Sequence, residues 1–228
     1  MWNNYRHLEL YQGVPSMGSV LHTLNIRLSP TDLEYIINHA NDRVIFADED
    51  LLPLLEPLWD KIPCVELLVI SRHGEGGESS FKNQIDYEDF IKDQPTVYDW
   101  PDIPETSPMG LCYTSGTTGK PKGVMYTNRS TYLHTMAESL TDTMELSSLD
   151  SLMGIVPMFH AMGWGLPFCA SMLGCKQVMP HRFMVPDAFL KLIHEEEVTI
   201  SAGVPTIWQG VKAALEAEPD KYDVSKLS

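Results

Sequence analysis

Tyr113-Thr114-Ser115-Gly116-Thr117-Thr118-Gly119-Lys120-Pro121-Lys122-Gly123 decides how this sequence is read. Its glycines let the backbone approach a ligand with bare N–H groups. Its serine and threonines offer hydroxyls to phosphate oxygens or to a magnesium ion, and its lysines add positive charge. The combination reads as a phosphate cradle. It is not the Walker form, which needs a glycine where Thr114 stands and a hydroxyl residue where Pro121 stands. The dinucleotide pattern G-x-G-x-x-G is absent as well.

The charge around the loop supports an anion site. The chain of 228 residues carries a net charge of −15, which argues against nucleic acid or an anionic membrane as a bulk partner. From Thr106 to Ala137 there is no Asp or Glu, whereas 31 acids spread evenly would place about four there, and Lys120, Lys122 and Arg129 lie inside that window. Hydrophobic content of 43% suits a chain able to bury a sizeable core. Cys64, Cys112, Cys169 and Cys175 form no C-x-x-C pair, so free thiols in a reducing, cytoplasmic setting are expected, with Cys112 packing a strand. The first residues lack the apolar core of a signal peptide.

Working outward, Met109–Tyr113 reads as a strand delivering the loop and Gly123–Thr127 as a strand leaving it. Asn128 is the expected cap of the next helix, whose buried stripe should be Leu133, Met136, Ala137, Leu140 and Met144. Upstream, Gly18–Leu24 reads as a strand or a buried segment, and Arg43–Ala47 and Glu66–Ile70 read as strands. Ser29-Pro30-Thr31-Asp32 starts a helix with an N-cap, a first-turn proline and a capping-box acid. A broken helical stretch is expected over Asp48–Leu58 and a short helix over Tyr87–Ile91. Downstream, Val178 and Val198–Ala202 each precede a helical pattern. Strands alternating with helices predict an α/β fold of parallel sheets flanked by helices. The prolines at 95, 101, 104 and 108 suggest a connector over 95–108 between two incomplete α/β subdomains, 1–94 and 109–228.

Leu152–Cys175 contains no Asp, Glu, Lys or Arg and is long enough to span a membrane. Six glycines and prolines interrupt it, so a buried strand, a turn and a buried helix fit better, and no transmembrane segment is expected. Within it, Pro157-Met158-Phe159-His160-Ala161-Met162-Gly163-Trp164-Gly165 sets an imidazole and an indole four residues apart. Two readings stand side by side. One is a pocket wall with a polar handle and a flat stacking surface; the other is a satisfied core histidine beside a packed tryptophan.

The loop at Tyr113–Gly123 closely resembles the signature of the adenylate-forming (AMP-binding) superfamily. Pro157-x-x-His160 resembles a second motif of that family, and Met158-Phe159-His160 with Trp164 is similar to the medium- and long-chain fatty acyl-CoA synthetases. Gly203-Val204-Pro205-Thr206, Trp2–Glu9 and Leu21–Asn25 extend the likeness along the whole chain. The resemblance implies part of that family's large N-terminal domain, and a two-step reaction. A carboxylate attacks the α-phosphorus of ATP to give an acyl-adenylate; the thiol of CoA then displaces AMP. It assigns the N–H groups of Gly116–Gly119, the hydroxyls of Ser115, Thr117 and Thr118, and Lys122 to the β- and γ-phosphates, and Thr114 to Mg²⁺. It places His160 at the acyl site, and Ala161 and Trp164 near the adenylate, with Trp164 as a gate.

ATP, a fatty acid, CoA and Mg²⁺ are the implied small molecules, with no nucleic acid and a homodimeric parent enzyme. The family's Tyr-Gly-x-Thr-Glu segment, ribose-binding aspartate and C-terminal catalytic lysine have no counterpart in the 228 residues, so an internal fragment, inactive alone, is expected. An aryl- or amino-acid-activating relative and a non-catalytic nucleotide-binding module are the competing readings. A kinase-like transferase is disfavoured by Pro121 and the lack of a catalytic aspartate motif.

Overall fold

A computed structural model describes residues 1–74, 76–114 and 119–228. The chain opens on a helix that the sequence pattern does not announce, α1 (Tyr5–Ser16). Asn4 caps it, its side chain accepting from the His7 amide at 2.9 Å, and His7, Leu10 and Tyr11 are buried along it. After β1 (Leu21–Thr23) comes α2 (Pro30–Ala40). Here the expected capping chemistry is present: the Ser29 hydroxyl accepts from the Asp32 amide and donates to its carboxylate. Leu33, Ile36 and Ile37 are buried, and Asn41 ends the helix in the left-handed region.

Strand β2 (Val44–Asp48) leads into the expected broken stretch, a 3-10 turn, the short α3 (Leu52–Leu55) and a second 3-10 turn to Lys61. Strand β3 (Leu67–Ser71), the three-residue β4 (Gln84–Asp86) and α4 (Tyr87–Ile91) follow. Strands β2, β3 and β4 form one parallel sheet, packed on an aliphatic core that includes Ile36, Ile37, Leu52, Leu58 and Leu68.

β5 (Pro108–Thr114) and β6 (Lys122–Thr127) form an antiparallel hairpin, and β1 adds in parallel to the other side of β5. This sheet therefore draws on residues before and after 95–108. Helix α5 (Asn128–Glu138) is capped by Thr127, one residue earlier than expected, through a reciprocal box with Ser130. β7 (Ser151–Gly154), α6 (Leu166–Leu173), β8 (Lys176–Val178), α7 (Pro186–Glu195), β9 (Ile200–Ala202) and α8 (Pro205–Ala217) complete the chain. β8, β7 and β9 make a third, wholly parallel sheet. Leu152–Cys175 is the buried strand, turn and helix foreseen, and no described helix is long and apolar enough to cross a membrane.

One expected face is wrong. The apolar side of α5 points outward, with Leu133 60% exposed and Met136 also on the surface, and the helix ends at Glu138, before Leu140 and Met144. The packed side carries hydroxyls: Thr135 is buried, donating to the Thr131 carbonyl, and Thr131 donates to Met109 Sδ. A threonine that satisfies its hydroxyl within its own helix can be buried at little polar cost, so periodicity alone selects the wrong side.

Candidate active site

The loop sits at the tip of the β5–β6 hairpin. Thr114 and Lys122 are register partners at its base, Tyr113 pairs Gly123, and both Thr114 and Lys122 are exposed. The Thr114 hydroxyl lies 3.5 Å from the Lys122 carbonyl. Ser115, Gly116, Thr117 and Thr118 lie outside the described residues. Gly119 has a φ of 154°, and among the described residues beyond its chain neighbours nothing stands within 4 Å of where a Cβ would be, so its demand for glycine is conformational. The Lys120 ammonium rests 4.8 Å from the centre of the Tyr35 ring.

What holds the hairpin base was invisible in the sequence. The Tyr113 hydroxyl meets His39 Nδ1 at 2.6 Å, and its ring lies 5.1 Å from that of His22. His22 in turn bonds both oxygens of Asp42, at 2.9 and 2.8 Å, with both side chains largely buried. Residues from α2, β1 and the turn before β2 thus brace the residue immediately before Thr114. Only contacts between distant segments reveal this.

The second motif forms a tight left-handed turn. Ala161, Met162, Gly163, Trp164 and Gly165 all have positive φ, between 46° and 85°. Non-glycine residues in that region cost about 1–2 kcal/mol each, so packing must hold them there. Met162 is buried against Gly110 of β5, where a Cβ would come within 2.9 Å of Met162 Cε. The Cys112 thiol lies beside the Ala161–Met162 backbone, with the Thr23 hydroxyl at 3.1 Å from its sulfur. Burial raises the Cys112 pKa, which suits packing and not attack. Strand β5 therefore carries both motifs, with the turn on its Gly110–Cys112 portion and Thr114 at its end. His160 is exposed at the start of the turn, its amide donating to the Pro157 carbonyl at 2.9 Å, and Trp164 is 39% exposed.

Asn3 and Tyr11 anchor the approach to that turn. Asn3 donates to the Gly154 and Val156 carbonyls and accepts from the Met158 amide, and the Tyr11 hydroxyl donates to the Met158 carbonyl. On its far side, Glu138 of α5 faces Gly165. Burial raises its pKa to about 7, and among the described residues Glu138 Oε2 has no hydrogen-bond partner. The buried Cys169 thiol, pushed up to about 11 by burial first and then by Glu138, lies beside it.

A cavity of about 870 Å³ opens elsewhere, lined by Leu10, Val14, Leu21, Phe46, Leu111 and Phe159 among others. Thr114, Gly119, Lys122, His160, Ala161 and Trp164 do not line it. Size alone would nominate this cavity, but the residues singled out in the sequence for phosphate and acyl contacts lie at the hairpin and the turn instead.

A family model described as AMP-binding enzyme matches residues 1–228. A medium-chain-fatty-acid–CoA ligase of Ectopseudomonas oleovorans is 44% identical over 214 residues, covering 93% of this chain and 39% of that protein. A 3-methylmercaptopropionyl-CoA ligase of Ruegeria pomeroyi is 44% identical over 218 residues, covering 95% of this chain and 40% of that protein. Among solved structures, the anthranilate CoA ligase AuaEII in complex with anthranoyl-AMP superposes with a TM-score of 0.85 at 25% identity, over 100% of this chain and 43% of that one. The chain thus spans about two fifths of the length of the curated relatives it matches.

Proposed function

The chain belongs to the AMP-binding enzyme family, and from that premise we propose that it carries the phosphate-binding part of an ATP-dependent acid–thiol ligase acting on a fatty acid. The observation that carries this reading is the β5–β6 hairpin, which sets the Thr114 hydroxyl and Lys122 at the two ends of a glycine- and hydroxyl-rich loop. A carboxylate and a triphosphate repel each other, so the reaction needs positioning and charge neutralisation more than covalent help. Lys122, the loop amides of Gly116–Gly119 and the hydroxyls of Ser115, Thr117 and Thr118 are proposed to hold the β- and γ-phosphates. The exposed Thr114 hydroxyl is a hard oxygen donor of the kind Mg²⁺ accepts alongside phosphates and water. When bound there, the ion would neutralise phosphate charge. On the other side of β5, the exposed His160 is proposed to border the acyl group, and Ala161 and Trp164 the adenylate.

The fatty character rests on Met158-Phe159-His160 with Trp164 and on the medium-chain relative. The second reading, a different carboxylic acid, is favoured by the relative named for 3-methylmercaptopropionyl-CoA. A chimaera with this chain in place of the matching region of the medium-chain relative separates them. Pyrophosphate release should be fastest with fatty acids; a preference for aromatic or amino acids, or for 3-methylmercaptopropionate, would overturn the fatty assignment. The 228 residues alone are proposed not to turn over. Sustained acyl-CoA formation from ATP, Mg²⁺, dodecanoate and CoA would sink that. A cytoplasmic setting fits the four free cysteines.

A further inference from the structure

Away from the hairpin, three segments bring Asp48, His73 and His181 together. Asp48 ends β2, His73 lies two residues beyond β3, and His181 follows β8 in the third sheet. One carboxylate oxygen and one nitrogen of each imidazole lie within 4.8 Å of one another. We propose that these three side chains form a binding site for a first-row divalent cation of the Zn²⁺ type, which would staple the β2–β3–β4 sheet to the β8–β7–β9 sheet.

The donor set is the first argument. Two imidazoles and a carboxylate suit Zn²⁺ and its neighbours better than Mg²⁺ or Ca²⁺, which prefer oxygen alone. Bound at about 2.0–2.1 Å, an ion would draw the three atoms to roughly 3.5 Å of one another, a shift within reach of side-chain rotation. Asp48 is fully buried and already oriented, accepting from the Trp2 amide at 2.6 Å and from Asn4 Nδ2 at 2.9 Å. Each oxygen keeps a further lone pair.

The surroundings of His73 are the second argument. Its Nδ1 lies 3.2 Å from Glu49 Oε1, and its amide donates to the same oxygen at 2.7 Å. Glu49 is 2% exposed and also pairs with Arg72. A carboxylate on Nδ1 selects the tautomer that leaves Nε2 as a lone pair, the arrangement that supports metal-bound histidines. Among the described residues, His73 Nε2 is buried without a hydrogen-bond partner; Asp50 Oδ1 lies 3.4 Å away, outside hydrogen-bonding geometry.

His181 is the third. Its φ of 54° is costly for a histidine, and a backbone bridge to Asn3 holds it there, aiming the ring across that of His73 at 5.1 Å and 89°. Asp48, Glu49 and Asp50 bring negative charge to the cluster, against Arg72 and Arg182.

Titrating the metal-free chain with Zn²⁺ against a chromogenic chelator tests the proposal, with Co²⁺ absorption reporting imidazole coordination in the unsubstituted chain. The expected result is one ion per chain. His73→Ala and His181→Ala should each weaken binding by at least about tenfold, and Glu49→Gln by about 10- to 100-fold, with far-UV circular dichroism unchanged. Absence of stoichiometric Zn²⁺ binding, a Co²⁺ spectrum without nitrogen ligands, or full affinity in the His73→Ala/His181→Ala double variant would overturn it. Should His73→Ala fail to fold, His181→Ala and the Co²⁺ spectrum decide.

Discussion

Gly165 and Glu138 are in such close contact that a Cβ on Gly165 would lie 2.8 Å from Glu138 Oε2. Gly165 also has a φ of 85° and caps α6. Gly165→Ala therefore meets backbone strain of about 1–2 kcal/mol and a clash with a buried carboxyl. We expect a loss of about 2 kcal/mol or more in urea unfolding, against about 0.5 kcal/mol or less for Gly13→Ala, where nothing stands within 4 Å and φ is ordinary.

The same carboxyl makes stability depend on pH. Glu138 titrates near 4.5 in the unfolded chain and at about 7 in the fold, because of burial. Between those values the fold holds a proton that the unfolded chain has released, so the Glu138 contribution is full below about 4.5 and is lost as pH rises through 7. The loss amounts to as much as about 3 kcal/mol. Glu138→Gln should match the parent chain at pH 4 and exceed it by about 2–3 kcal/mol at pH 8. Parallel stability–pH curves for the two proteins would refute this.

Asn3 spends its whole amide on one segment, donating to Gly154 and Val156 and accepting from Met158. It is 3% exposed, so Asn3→Ala strands a buried amide and two carbonyls. A cost of about 2–4 kcal/mol follows from the unmade bonds. Asn3→Asp should be worse, since it replaces two donors with charge facing carbonyls. Chemical denaturation of both variants reads this, and a cost below that of a surface substitution would contradict it.

The parts of this fold legible in the sequence were those specified locally. Ser29-Pro30-Thr31-Asp32 carries its own helix start, and the apolar runs around Ile45, Leu68 and Met153 are strands of parallel sheets. Helix α1 escaped because its N-cap, Asn4, stands in a polar stretch without a following apolar stripe. The α5 face escaped because Thr135 is buried through a bond inside its own helix. The left-handed turn at 161–165 is hinted at only by Gly163 and Gly165; what Ala161 and Met162 pack against is the distant β5. At the candidate site, residue chemistry singled out the loop as a proposal, but the His22–Asp42 and His39–Tyr113 pairs beside its first residue join positions 20 and 74 apart in sequence. No local pattern encodes such pairs.

Thr114 and Lys122 offer the sharpest test of the site, because both are exposed and, among the described residues, joined to each other by the hairpin register and one long Thr114 hydroxyl–Lys122 carbonyl contact. Substituting either should leave stability within about 0.5 kcal/mol. If Lys122 neutralises phosphate charge as the reaction develops, Lys122→Ala in the chimaeric ligase should slow ATP–pyrophosphate exchange by about 10²-fold or more, equivalent to about 3 kcal/mol. Thr114→Val keeps the shape and β-propensity of the strand end while deleting the hydroxyl, so it should slow exchange to a similar degree and raise the Mg²⁺ concentration needed for half-maximal rate. Lys122→Arg retains charge but replaces a point cation with a planar fork, and should recover only part of the rate. Unchanged exchange in Lys122→Ala and Thr114→Val together would place the phosphate contacts elsewhere than at the base of this hairpin.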